Sequence, residues 1–182
     1  MGACAQGDGG AESSPIARPQ AGLTTVAIVS LIHNSLPHLS VLPRAILDAQ
    51  LLTRGSIGSA REVAFRLGLR DRFELASLLR RERLPPLHDL AAWVSILTWV
   101  DRAECTGSSL CQIAFGSRRD PAVCYRTVQR ITGVPWHEVK RRGVAWVVER
   151  FVARCGGVPA VRLRPHTPLR RPPVARSRSN AS

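Results

Sequence analysis

Through the centre of this chain, apolar residues recur at the three-and-four spacing of helices that bury one face. Leu42, Ala45, Ile46 and Ala49 predict a helix over 42–52. Val63, Ala64 and Leu67 mark a short helix over 59–67, and Gly68 follows where a helix end needs positive φ. A second helix runs from about 72 to 83 with Leu75, Leu78 and Leu79 inward, stopped by Pro85 and Pro86. His88 and Asp89 open a third, with Asp89 as its natural N-cap and an inner stripe of Trp93, Ile96, Leu97 and Val100. Two tryptophans on one helix are expected to be core or interface packing rather than a binding platform. Gly107, Ser108 and Ser109 cap a short helix carrying Leu110, Ile113 and Ala114. Asp120-Pro121 starts another, with proline at the first helical position, and it runs to about 130. Residues 136–152 form the last helix, with a kink expected at Gly143.

The flanks read differently. Residues 1–20 are rich in Gly, Ala, Ser and Pro and are expected to be disordered. Leu23–Ile32 (LTTVAIVSLI) is β-branched enough to be a strand candidate, followed by a loop over 33–40. Residues 156–182 are rich in Pro, Arg and Ser and are expected to be a disordered basic tail. The organisation expected is therefore an N-terminal segment over 1–41, a helical domain over 42–155 and a tail over 156–182.

Within the helical region the pattern repeats. Glu62-Val63-Ala64-Phe65 parallels Gln112-Ile113-Ala114-Phe115 at an offset of 50, and Asp71 parallels Asp120 at 49. Leu79-Arg80-Arg81 then parallels Val128-Gln129-Arg130, and Pro86 parallels Pro135. Each copy is a short helix, a tight turn and a longer helix with a basic end, which is the helix-turn-helix plan. The second copy is one residue shorter between its helices. A helix of roughly 15 residues, ~23 Å long, would join the two. That length plus flanking turns is compatible with the ~34 Å between successive major grooves on one DNA face.

Charge fits a polyanionic partner. The formal net charge is +13, and Lys140 is the one lysine among 26 basic residues. Residues 1–53 are net −1, 54–155 net +8 and 156–182 net +6. A basic surface attracts phosphates because counterions are released on binding. The five cysteines lack any Cys-x-x-Cys pair and fit no zinc pattern. With no basic leader and only a ten-residue apolar run at Leu23–Ile32, the chain reads as cytoplasmic and not membrane-spanning.

Two strings, SAREVAFRLGLRDRFELASLLRRERLPP and SSLCQIAFGSRRDPAVCYRTVQRITGVPWHEV, resemble the DNA-binding domain of AraC/XylS-type transcription regulators. The second is the more specific, through Ile113-Ala114, Asp120-Pro121, Tyr125-Arg126 and the run from Arg130 to Pro135. The resemblance covers about residues 42–142. It implies an all-α domain of about seven helices: two helix-turn-helix subdomains joined by a linker helix, whose recognition helices enter adjacent major grooves of double-stranded DNA. By this match the exposed positions are Arg72, Phe73, Ala76 and Ser77, followed by Arg80 and Arg81, in the first unit. In the second they are Ala122, Val123, Tyr125 and Arg126, followed by Gln129 and Arg130. Arg126 is the expected base reader, since a guanidinium bonds O6 and N7 of guanine together. Arg80, Arg81 and Arg130 are expected on phosphates. Where the family has Gly-Phe in the second turn, this chain has Arg118-Arg119, which either loosen the packing or add phosphate contacts.

The resemblance also makes RNA polymerase a candidate partner. Residues 1–41 are too few to enclose a ligand pocket, so the chain reads as a minimal DNA-binding version or a piece of a longer regulator. No cofactor, metal or small-molecule ligand is called for. His33, His38, His88, His137 and His166 are scattered, and no phosphate loop or nucleophile motif is present, so an enzyme is not expected. The remaining alternative is a helical protein-interaction module derived from a DNA-binding domain.

Overall fold

A computed structural model describes residues 25–158, which form eight helices and no strand. In chain order these are α1 (Thr25–Ser35), α2 (Val41–Leu52), α3 (Ala60–Arg66), α4 (Arg72–Arg81), α5 (Leu87–Thr106), α6 (Leu110–Gly116), α7 (Pro121–Thr132) and α8 (Trp136–Arg154). The all-α class is as expected from the periodicity, with one helix more than the seven implied.

The extra helix is α1, and it replaces the expected strand. Its β-branched residues do favour strands, but Ile28 and Ile32 stand one turn apart, and both are buried. Leu36, just past the helix, is fully buried as well. The helix packs against α2 and α8, and the His33 side chain hydrogen-bonds Asp48 of α2. Tertiary packing outweighs a local propensity worth at most about 1 kcal/mol per residue. Leu23 and Thr24, like residues 1–20 and the 159–182 part of the tail expected over 156–182, lie outside the described residues. The packed unit thus begins at α1 rather than at residue 42. It also runs slightly past 155, because Gly157 abuts Ser35 and Leu36 beside α1.

The centre of the molecule is α5. Leu90, Trp93, Val94, Ile96, Leu97, Trp99, Val100 and Ala103 are all buried, on nearly every side of the helix. Such a helix needs neighbours all round, and α2, α6, α7 and α8 supply them. Against α8 it packs Trp93 on Phe151, ring centroids 5.9 Å apart and tilted by 55°. Both tryptophans are core residues, as their spacing implied. At 20 residues the helix is longer than expected, about 30 Å at 1.5 Å per residue. The added length comes partly from its start. Pro86 (φ −50°, ψ 149°) is the residue before the helix, so Asp89 sits inside the first turn and is not the N-cap.

Gly143 breaks α8, as anticipated. Its φ of 83° and ψ of 178° are non-helical, and the backbone N–H of Val144 that the break frees donates to Glu104 Oε1 of α5 at 2.8 Å. A Cβ at Gly143 would meet that carboxylate at 2.5 Å.

Candidate nucleic-acid interface

Two helix pairs, α3–α4 and α6–α7, carry every candidate binding residue. Their short helices start alike. Ser59 Oγ accepts from Glu62 N–H and Ser109 Oγ from Gln112 N–H, both at 3.2 Å. At Ser109 the cap is reciprocal, because Gln112 Oε1 accepts from Ser109 N–H at 2.8 Å. The Glu62 carboxylate pairs instead with Arg66 one turn on.

The turns also match bond for bond. Gly68 N–H donates to Phe65 C=O at 3.1 Å and Leu69 N–H to Ala64 C=O at 2.9 Å. Arg118 and Arg119 repeat those bonds to Phe115 and Ala114 at 3.0 and 2.9 Å. This closes each helix with a left-handed residue, Gly68 at φ 68° in one pair and Arg118 at φ 53° in the other. The residue missing from the second copy therefore falls after the turn, where Arg70 has no counterpart. Each outward helix then begins on an aspartate: Asp71 accepts from Phe73 and Glu74 N–H at 2.8 and 2.9 Å, and Asp120 from Ala122 N–H at 2.8 Å. Those backbone donors, chiefly Glu74, hold the Asp71 carboxyl below its ordinary range.

The arginines at the second turn are both exposed. Arg119 lies with its guanidinium carbon 5.8 Å from the centroid of the Trp99 ring. Leu69 occupies the equivalent place in the first pair and packs partly buried on the core. A cation–π contact thus stands where the first pair has an aliphatic one.

All the candidate binding residues face solvent. On α4, Leu75 and Leu79 turn inward and leave Arg72, Phe73, Ser77, Arg80 and Arg81 exposed, with Ala76 half-buried. On α7, Cys124 and Val128 turn inward and leave Ala122, Val123, Tyr125, Arg126, Gln129 and Arg130 exposed. Arg72 lies over the Phe73 ring, 4.9 Å from its centroid. Gln129 Nε2 donates to Gly133 C=O at 3.4 Å, so part of its amide serves its own helix end. Among the described residues Arg80, Arg81 and Arg126 form no ion pair within 4 Å.

Arg130 differs. Its Nη1 pairs with Asp89 Oδ1 of α5 at 2.7 Å, a contact across 41 residues. Sequence spacing gives no hint of that pair, nor of the Trp99 contact. The left-handed Arg118 was legible, because it aligns with Gly68 in the repeat. Phe65 and Phe115 also stand out, 83% and 67% exposed at matching positions on α3 and α6.

No protein-family model, curated protein or solved structure matches this chain. Among the described residues no helix is long and apolar enough to cross a membrane.

Proposed function

We propose that this chain is a transcription regulator of AraC/XylS type that binds double-stranded DNA by presenting α4 and α7 to successive major grooves. One observation carries the reading: two helix pairs built on the same cap, turn and cap plan, each ending in an outward helix with a basic face. Such a plan lets the short helix prop the long one while the exposed side meets DNA. Arg126 is the base reader, and Arg80 and Arg81 hold phosphates. The span of α5, about 30 Å, brings the pairs near the groove repeat of ~34 Å. Cys111, Cys124 and Cys155 are free thiols, which suits work in a reducing cytoplasm. RNA polymerase is the protein partner such a regulator would take.

The test is selection of bound sequences from random duplex, followed by a salt series. Two motif blocks about one helical turn apart, with a steep negative slope of log K against log salt, are expected. A chain that binds no duplex at low salt overturns the reading. The exposed Phe65 and Phe115 favour a second reading, a protein-interaction module derived from such a domain. On that reading, replacing both with Ser removes protein binding, and duplex binding is absent from the start.

A further inference from the structure

Arg81 and Arg130 occupy equivalent places in the two pairs, 49 residues apart. Their surroundings differ. Beside Arg81 the nearest acid in sequence is Glu82, which accepts from Ser40 Oγ at 2.8 Å and Ser40 N–H at 3.2 Å. Arg81 feels the Glu82 charge but is not paired with it. Arg130, in contrast, is paired with Asp89.

We infer that Asp89 occupies the place of a DNA phosphate at Arg130 and thereby withholds that arginine from the backbone. The inference rests on the DNA-binding reading above. A carboxylate and a phosphate offer a guanidinium the same kind of acceptor oxygens, so the two compete for it, and the paired carboxylate offsets the charge that a phosphate would meet. Asp89 is well placed for the role. The Pro85-Pro86 stop makes α5 begin at Leu87 and puts Asp89 in its first turn, where the helix dipole favours negative charge. Burial pushes its carboxyl up, but hydrogen bonds from Arg130 and His88 outweigh this and leave it below the ordinary range. It is therefore ionised at neutral pH. The Arg130 side chain is still 49% exposed, so the pair lies where an incoming phosphate would compete for it. The second helix pair accordingly engages the backbone with one cation fewer than its sequence offers.

The experiment measures binding of the full chain to random-sequence duplex over a salt series, for wild type, Asp89→Asn, Arg130→Gln and the double variant. Helicity and melting are followed for each. Asp89→Asn is expected to steepen the slope by about 0.9, equivalent to ~3-fold more affinity gained between 200 and 50 mM salt. Arg130→Gln alone is expected to leave the wild-type slope unchanged, and in its background Asp89→Asn adds nothing. A slope flattened by Arg130→Gln alone would show Arg130 already on DNA and overturn the inference. So would an equal effect of Asp89→Asn in both backgrounds, which is only the added charge, or no effect at all. If Asp89→Asn fails to fold, Asp89→Ser takes its place in the same series, with the same slopes expected. A wild type that binds no duplex sinks the DNA reading itself, whereas binding with the wrong slopes sinks only the role of Asp89.

Discussion

The α3–α4 and α6–α7 pairs are the same device made with different side chains. Their backbones agree at the first cap and through the turn, and differ at the second cap, where Asp71 has φ −161° and Asp120 φ −68°. Their surfaces differ too. The first pair has Gly68 in the left-handed turn position, an aliphatic Leu69 on the core, and Ser77 where the second has Arg126. The second has Arg118 left-handed, Arg119 over Trp99, and a face with Tyr125 and Arg126. The first has glycine at its left-handed turn residue, and the second has Tyr125 and Arg126 on the face that the proposed function would set against bases. A turn is specified by its hydrogen bonds and its φ, so several residue types can satisfy it at different cost. A reading face has no such redundancy, because one guanidinium replaced by a hydroxyl removes a bidentate contact.

The sharpest way to break that comparison is at the faces. Arg126→Ala should lower discrimination between the selected sequence and random duplex by about 1–3 kcal/mol, roughly 5- to 150-fold. Ser77→Ala should change discrimination little, and competition binding separates the two. Equal losses would mean that both pairs read bases. Arg81→Ala should weaken all duplexes uniformly and reduce the salt slope by about one.

At the caps the difference is smaller. Ser109→Ala removes a reciprocal box and should cost about 1 kcal/mol in denaturant unfolding. Ser59→Ala removes a one-way cap and should cost less. A larger loss at Ser59 would show that the pairing of Glu62 with Arg66 is not the competitor it looks to be.

The smallest effect lies in the turn. Arg118→Gly should stabilise the fold by roughly 0.5–1 kcal/mol, since only glycine holds φ near +53° without strain. Gly68→Ala should do the reverse. A destabilised Arg118→Gly protein would mean that the Arg118 side chain holds a contact stronger than the strain.

Much of this architecture was legible in the sequence, for reasons that differ along the chain. Caps and turns are local: Ser109, Asp120 with Pro121, and Gly143 announce themselves within a few residues. The inner stripes of α4, α5 and α6 followed from periodicity. The segment at Leu23–Ile32 did not, because its β-branched composition points one way and its Ile28–Ile32 spacing the other. Only the presence of α2 and α8 decides between them. The start of α5 was misplaced by taking Asp89 as a cap, when its carboxylate serves a partner on α7. The exposure of the candidate binding residues was an expectation of the family resemblance, carried over position by position. Which of them a neighbour already occupies was not, since the Asp89–Arg130 and Trp99–Arg119 contacts join residues that no local rule connects.

The break at Gly143 has a mechanical consequence. A continuous helix behaves as one rod and carries a twist at one end to the other. Here two short rods meet end to end at a residue whose φ and ψ are non-helical. The brace is a side chain from another helix, Glu104. The second half of α8, which packs Phe151 on Trp93 of α5, is thus tied to that same helix at its first residue too.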